Sequence, residues 1–256
     1  MIGIAPSILP ADWLRPGAQV GEAERAAAMT RRRFTSVLGL LAAAGPFLLA
    51  RSAAGTAAER DVLRTPDSIW ADLLEGNKRF VAGKPRAREL VRTRQGLAEG
   101  QHPRVIVLGC ADSRVSPELV FDKGLGDLFV VRTAGNIADP VALGSIEYAA
   151  EHLHATVLVV LGHERCGAVT AAASGEAMPT PNLDAIVKKI APALEPLKAR
   201  ARGEELVRLG VEANIHQSAK DILASSPIVR HAVAAAKLTI IKAVYRLRTG
   251  EVVRLA

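Results

Sequence analysis

Two stretches of this 256-residue chain limit what it can fold into more than any other feature. One reads Arg104-Val-Ile-Val-Leu-Gly-Cys110-Ala-Asp112-Ser-Arg114, the other Thr156-Val-Leu-Val-Val-Leu-Gly-His163-Glu-Arg-Cys166-Gly167. Each begins as an unbroken apolar, β-branched run, the pattern of a strand covered on both faces. Each ends at a glycine followed by side chains that bind metals. In an open parallel sheet, ligands gather beyond the carboxyl ends of the strands. Two such strands side by side would bring Cys110, Asp112, His163 and Cys166 to one sheet edge.

The rest of the pattern agrees with that sheet. Hydrophobic residues make up 49% of the chain and aromatics only 4%, so the core must be built from Val, Leu, Ile and Ala. Strands are expected at 105–108, Asp127–Arg132, 156–161, Thr239–Arg246 and Val252–Leu255, the last two joined through Thr249-Gly250. Between them lie helical patterns at Val141–His152, 167–175, 182–200 and 203–224, and another after Pro227. Strands separated by helices imply right-handed crossovers. The expected class is α/β, a mostly parallel central sheet flanked by helices, with an N-terminal helical arm and a C-terminal strand hairpin. The arm begins at Pro66 with Ile69, Trp70, Leu73, Leu74, Phe80 and Val81 at helical spacing, stops at Gly83 and Pro85, and continues through about 88–98. Its stripe suits either this chain's own core or a partner subunit.

The first 57 residues read differently. Met29 opens a segment in which Thr30-Arg31-Arg32-Arg33-Phe34-Thr35 precedes the apolar run Ser36–Ala50 and the small residues Ser52-Ala53-Ala54. This layout resembles a secretory signal of the twin-arginine type. The run falls short of the roughly 20 residues that span a bilayer. Residues 29–57 are therefore expected to be removed on export to the periplasm, and 1–28 to lie upstream of the native start. The functional domain is expected over 66–256, in one piece. The formal charge of +7 includes +3 from six arginines against Asp12, Glu22 and Glu24 within 1–57. The remaining +4 is scattered, without basic clusters interleaved with aromatics, which argues against nucleic-acid binding.

Cys110 and Cys166 are the only cysteines. With His163 they form a ligand set that zinc prefers, and three protein ligands suit a catalytic site with one open position. Asp112 is the fourth candidate, and it has two competing partners. Paired with Arg114, which holds carboxylates bidentately, it leaves the metal open; bound to zinc, it closes the site. A site closed at low pH would become active only as the pH rises. An open zinc lowers the pKa of bound water to about 7 and supplies hydroxide as a nucleophile. Gly167, directly after the last ligand, would offer a backbone N–H to a substrate oxygen. A Cys110–Cys166 disulfide in a non-enzymatic α/β module is the competing reading.

These residues resemble the β-class carbonic anhydrases over about 66–256. The likeness rests on Cys110-Ala-Asp112-Ser-Arg114-Val, Gly124-Leu-Gly-Asp127-Leu-Phe129-Val-Val-Arg132, Ala134-Gly-Asn136, Gly144-Ser-Ile-Glu-Tyr148-Ala, Gly162-His163-Glu-Arg-Cys166-Gly167 and the closing Ala243-Val-Tyr245 with Thr249-Gly250. The resemblance implies reversible hydration of carbon dioxide to bicarbonate and a proton, and one Zn2+ per subunit on Cys110, His163 and Cys166. It makes Asp112 and Arg114 a catalytic pair, although some members bind zinc through the aspartate in an inactive state. It makes Gln101 a substrate hydrogen-bonder, and Phe129 and Tyr148 part of the apolar wall that receives CO2. In the family that wall comes partly from a neighbouring subunit, which implies a homodimer or dimer of dimers, with Trp70 and Phe80 helping to clasp the partner. Ala111 and Ala134 depart from the commonest pattern: the first replaces a frequent serine, the second a larger aliphatic residue. A related hydrolase of carbonyl sulfide or carbon disulfide would need the same zinc set. His102, beside Gln101, is a candidate carrier for the released proton.

Overall fold

The computed structural model describes residues 65–256. The expected signal segment and the extension before it lie outside the described residues. Five strands, β1 (Val105–Cys110), β2 (Leu128–Thr133), β3 (Val157–His163), β4 (Thr239–Tyr245) and β5 (Val252–Arg254), form one sheet in the order β2-β1-β3-β4-β5. The first four are parallel and β5 runs antiparallel to β4. Every residue of β1 and β3 is buried. Their side chains alternate between two cores. Ile106, Leu108, Leu158 and Val160 pack into the larger one. Val105, Val107, Val157, Val159 and Leu161 pack into the smaller. That double covering is why the sequence shows unbroken apolar runs here.

The chain leaves β1 for β2 on one side and then crosses back to β3 on the other. The direction of winding thus reverses between β1 and β3, where open sheets form a crevice at their carboxyl ends. The strands run two residues beyond the expected ends at 108 and 161. Gly109 pairs with Arg132, and Gly162 with Val244, so Cys110 and His163 are themselves the last strand residues. Gly162 does not end its strand; it admits a helix. A Cβ there would stand 2.6 Å from Ile215 Cγ1 on the helix crossing that face.

The helices are α1 (Pro66–Val81), α2 (Leu90–Gly96), α3 (Pro117–Val120), α4 (Pro140–Glu151), α5 (Gly167–Ser174), α6 (Pro181–Leu194), α7 (Gly203–Ser225) and α8 (Pro227–Ala234), with 3-10 turns at Ala134–Asn136 and Glu195–Leu197. Four of them start alike. Thr65, Asp139, Thr180 and Ser226 accept a backbone N–H through their side chains, each directly before a proline at the first helical position. The proline needs no hydrogen bond there and its φ is already helical. The helix expected over 182–200 is shorter in fact. Pro196 has no N–H for the α-helical ladder, and the chain tightens into the 3-10 turn at Glu195–Leu197. The stretch around 88–98 keeps only the seven residues of α2, none of them buried.

The N-terminal arm covers its own sheet. Trp70 is 6% exposed and meets Phe121 edge-on at 6.3 Å. Phe80 lies 6.4 Å from the Tyr245 ring. Of the two destinations expected for the stripe, this chain's own core takes Ile69, Trp70 and Leu73, with Phe80 half-buried against it. Gly76 permits the approach, since a Cβ there would sit 1.8 Å from the Phe121 carbonyl oxygen. Asn77, buried on α1, donates to the carbonyls of Val120 and Gly250 and accepts from the Val252 N–H. One side chain thus ties the arm to the α3 turn and the β4–β5 hairpin.

A buried ion cluster fastens the same arm. Asp122, with its side chain 1% exposed, accepts from Arg79 Nε at 2.5 Å and from an Arg88 guanidinium nitrogen at 2.6 Å. Burial alone would raise this carboxyl. Hydrogen bonds from Arg79, Arg88 and the Arg86 backbone N–H outweigh that and hold its pKa at about 2, below the ordinary 3.8. A depressed carboxylate contributes stability that is complete above its unfolded pKa and is lost as the pH falls through its folded one. Asp122→Asn tolerates the left-handed backbone (φ 45°) but leaves two arginines facing a neutral amide. It is expected to cost about 3 kcal/mol near neutral pH and to flatten the loss of stability between pH 3.8 and about 2. Urea unfolding across that range checks this. A variant with the wild-type midpoint and slope would show that the carboxylate does not fasten the arm.

Candidate metal centre

Cys110 ends β1, His163 ends β3, and Cys166 caps the N-terminus of α5. All three are buried, with their ligand atoms within 4.8 Å of one another. Donors held at zinc distances in a tetrahedron stand about 3.5–3.8 Å apart, within that spread. Among the described residues this is the one His/Cys/Asp/Glu group that converges in this way. Both thiols are free, so the disulfide expected under the competing reading is absent. The turn that brings Cys166 beside His163 runs through Arg165 at φ 52°, a left-handed conformation unusual for arginine. Glu164 holds that turn to the end of β4. Its N–H donates to the Tyr245 carbonyl at 3.0 Å and its carboxylate pairs with Arg246 at 3.0 Å.

The protonation of the cluster follows from its contacts. His163 Nδ1 lies 2.9 Å from the Glu164 carbonyl oxygen. A carbonyl only accepts, so Nδ1 carries a proton and Nε2 is the ring nitrogen left facing the sulfurs; burial alone would lower the imidazole pKa, but contact with the Cys110 sulfur raises it. Nε2 is fully buried and has no hydrogen-bond partner. The two sulfurs are driven apart in acidity: contact with Cys166 pulls the Cys110 thiol far below its ordinary value, and the same contact pushes Cys166 up. A buried imidazole nitrogen and two sulfurs therefore face one point. A divalent cation with affinity for nitrogen and sulfur satisfies all three, and the residues fit zinc.

Asp112 stands beside this point, its Oδ2 3.8 Å from His163 Nε2. It is turned toward Arg114. The Arg114 Nε donates to Oδ1 at 2.9 Å, a terminal guanidinium nitrogen to Oδ2 at 2.7 Å, and the Arg114 backbone N–H to Oδ1 at 2.9 Å. Those hydrogen bonds hold the Asp112 carboxyl well below the usual carboxylate range. Arg132 fixes the loop from the other side, donating to the carbonyls of Cys110 at 2.8 Å and Asp112 at 2.6 Å. Its position at the end of β2 was legible, but its role was not. Gly135 was also missed as a functional residue. Its backbone N–H donates to Cys110 Sγ at 3.3 Å.

Gly167, the first residue of α5, is exposed directly beside the cluster. The other three expected substrate contacts lie elsewhere in the chain. Gln101 is exposed in the loop before β1, so the whole strand, roughly 20 Å, separates it from Cys110. Phe129 pairs with Ile106, four positions before Cys110, or about 13 Å along the strand. Its ring lies 6.3 Å from that of Tyr148, which is 47% exposed on α4 and in turn 5.3 Å from the His152 ring. His102 is exposed at the amino edge with Gln101.

Comparisons with known proteins agree with one another. The family model described as carbonic anhydrase matches residues 105–252. Carbonic anhydrase 2 of Mycobacterium tuberculosis is 41% identical over 192 residues, covering 73% of this chain and 92% of the relative. The fold is similar to that of tetrameric β-carbonic anhydrases from Sordaria macrospora, with a TM-score of 0.60 and 26% identity over 73% of this chain and 97% of that one. It is also similar to the Coccomyxa β-carbonic anhydrase solved with acetazolamide, with a TM-score of 0.59 and 27% identity over 74% and 82%.

Proposed function

The chain belongs to the β-class carbonic anhydrases, and from that premise we propose that Cys110, His163 and Cys166 hold one zinc ion per subunit, that Asp112 and Arg114 work beside it, and that the active unit is a homodimer. The enzyme is a carbonate dehydratase, converting CO2 and water reversibly to bicarbonate and a proton. The observation that carries the zinc reading is His163 Nε2, a buried ring nitrogen without a hydrogen-bond partner that converges with two sulfurs. Zinc held there supplies Lewis acidity that makes water nucleophilic near neutral pH.

The protein's own groups do the rest. Arg114 keeps Asp112 ionised and fixes both of its oxygens, which leaves the carboxylate at the rim of the cluster and not within it. From there Asp112 accepts a hydrogen bond from the attacking water and aims its lone pair at the substrate carbon. The Gly167 N–H, at the start of α5, stabilises a developing oxyanion of the product. Without Arg114, Asp112 is free to turn toward the cluster and compete with substrate.

The dimer follows from what one chain lacks. Gln101, Phe129 and Tyr148 stand apart from their own cluster, so each would serve the site of a second copy. The surface that carries them suits a partner. Val141 is 79% exposed on α4, two helical turns before Tyr148, on a helix that packs beside β2, an edge strand of the sheet among the described residues. The Sordaria enzymes with this fold are tetrameric. Export fits the N-terminal pattern, and no helix among the described residues is long and apolar enough to cross a membrane.

Three outcomes test these assignments. Arg114→Ala is expected to lower kcat/KM about 10²-fold or more with zinc content unchanged; wild-type turnover in a stopped-flow CO2 hydration assay would remove Arg114 from the reaction. Val141→Asp is expected to yield monomers that keep zinc and lose most activity, as read by light scattering alongside the same assay. A fully active monomer would contradict a shared site. N-terminal sequencing of the native protein is expected to begin after residue 50; a mature chain carrying residues before 29 would contradict export.

A further inference from the structure

One buried polar side chain near the cluster belongs to no part of the reaction described above. Asn214, on α7, is 1% exposed and donates through Nδ2 to the Gly135 carbonyl at 2.8 Å. Gly135 in turn donates its N–H to Cys110 Sγ. It sits at φ 71° in the 3-10 turn Ala134–Asn136, where a Cβ would stand 2.7 Å from Ile190 Cδ1 and 3.1 Å from the Ala168 Cβ. Glycine is therefore required there, and glycine has the widest backbone freedom of any residue. Something outside the turn must fix its orientation. α7 does this twice on one face: Asn214 holds Gly135, and one helical turn later Ser218 accepts from Asn136 Nδ2 at 3.4 Å.

We propose that Asn214 is a positioning residue of the metal centre: its hydrogen bond to the Gly135 carbonyl keeps the Gly135 N–H on the Cys110 sulfur, and that contact sets how Cys110 binds and donates to the ion. The inference rests on the reading of Cys110, His163 and Cys166 as the zinc ligands. An N–H directed at a thiolate draws charge from the sulfur and fixes its direction, and groups that orient a ligand in this way typically govern metal affinity by 10- to 100-fold. With Asn214 removed, the buried Gly135 carbonyl has no donor, the glycine turns, and the sulfur loses its N–H.

The test uses readouts other than turnover. Zinc affinity is measured by competition with a chromophoric chelator, and the sulfur-to-metal charge-transfer band is recorded with Co2+ in place of zinc. Asn214→Ala is expected to bind zinc about tenfold more weakly and to move the cobalt band to longer wavelength, because the sulfur electrons are less stabilised. Asn214→Leu, which fills similar volume without a donor, is expected to do the same and guards against a collapsed alanine variant. Ile222→Val, a buried change on the same helix away from the turn, controls for lost stability and is expected to move neither readout. If the two Asn214 variants melt earlier yet keep the wild-type zinc affinity and band, the residue is merely structural and the proposal is overturned. A wild-type enzyme that takes up no zinc would instead overturn the metal reading, and this inference with it.

Discussion

The carboxyl edge of the sheet depends on one unpaired atom, His163 Nε2, buried between two thiols. Leaving a buried polar group without a partner costs on the order of 1–3 kcal/mol. Here the protein maintains that cost through the hydrogen bond that fixes the imidazole tautomer and through a turn strained at Arg165. Contact between the two sulfurs acts at the same point, pulling the Cys110 thiol down and pushing Cys166 up. A metal held there would complete the packing of this edge as well as supply the chemistry, and it would couple folding to metal affinity.

The scaffold serves that edge by keeping it still. β1 and β3 are covered on both faces, so their ends move only with the whole core. α7 crosses close over Gly162 and contacts the turn at 134–136. The loop after Cys110 is held by Arg132 and by the Asp112–Arg114 pair. The second core, beneath α1, is fastened by Asn77 and by the Asp122 cluster. Rigid elements, not mobile loops, thus position each donor, as a site that must present ligands in fixed directions requires.

The sheet was legible in the sequence because full burial leaves an unmistakable mark. A strand covered on both faces must be apolar at every position, and 105–108 and 157–161 are. The strand ends were less legible. Gly109 and Gly162 look like punctuation, but they lie inside the ladder, where close packing by α7 is the reason for the second. The pairing of Asp112 with Arg114 was foreseeable as one of two alternatives, and a bidentate bond two residues away decided it. The destination of α1 was foreseeable only as one of two alternatives. An apolar stripe specifies that a helix is buried, not against which surface, and Trp70 and Phe80 pack within their own chain. Asn214 left no signal at all, since a single amide on a buried helix face looks like an interruption of the apolar pattern until its partner is known.

On the proposed reading, a single metal bound by Cys110, His163 and Cys166 confers the activity. The most direct measurement is metal analysis and stopped-flow CO2 hydration on the same preparations of wild-type enzyme and Cys166→Ser, before and after treatment with a strong chelator. One zinc per wild-type chain is expected, with activity falling in proportion as zinc is withdrawn and returning when it is restored, and a Cys166→Ser enzyme that is folded, metal-poor and inactive. Full hydration activity in a zinc-free wild-type enzyme, or in Cys166→Ser without metal, would contradict it.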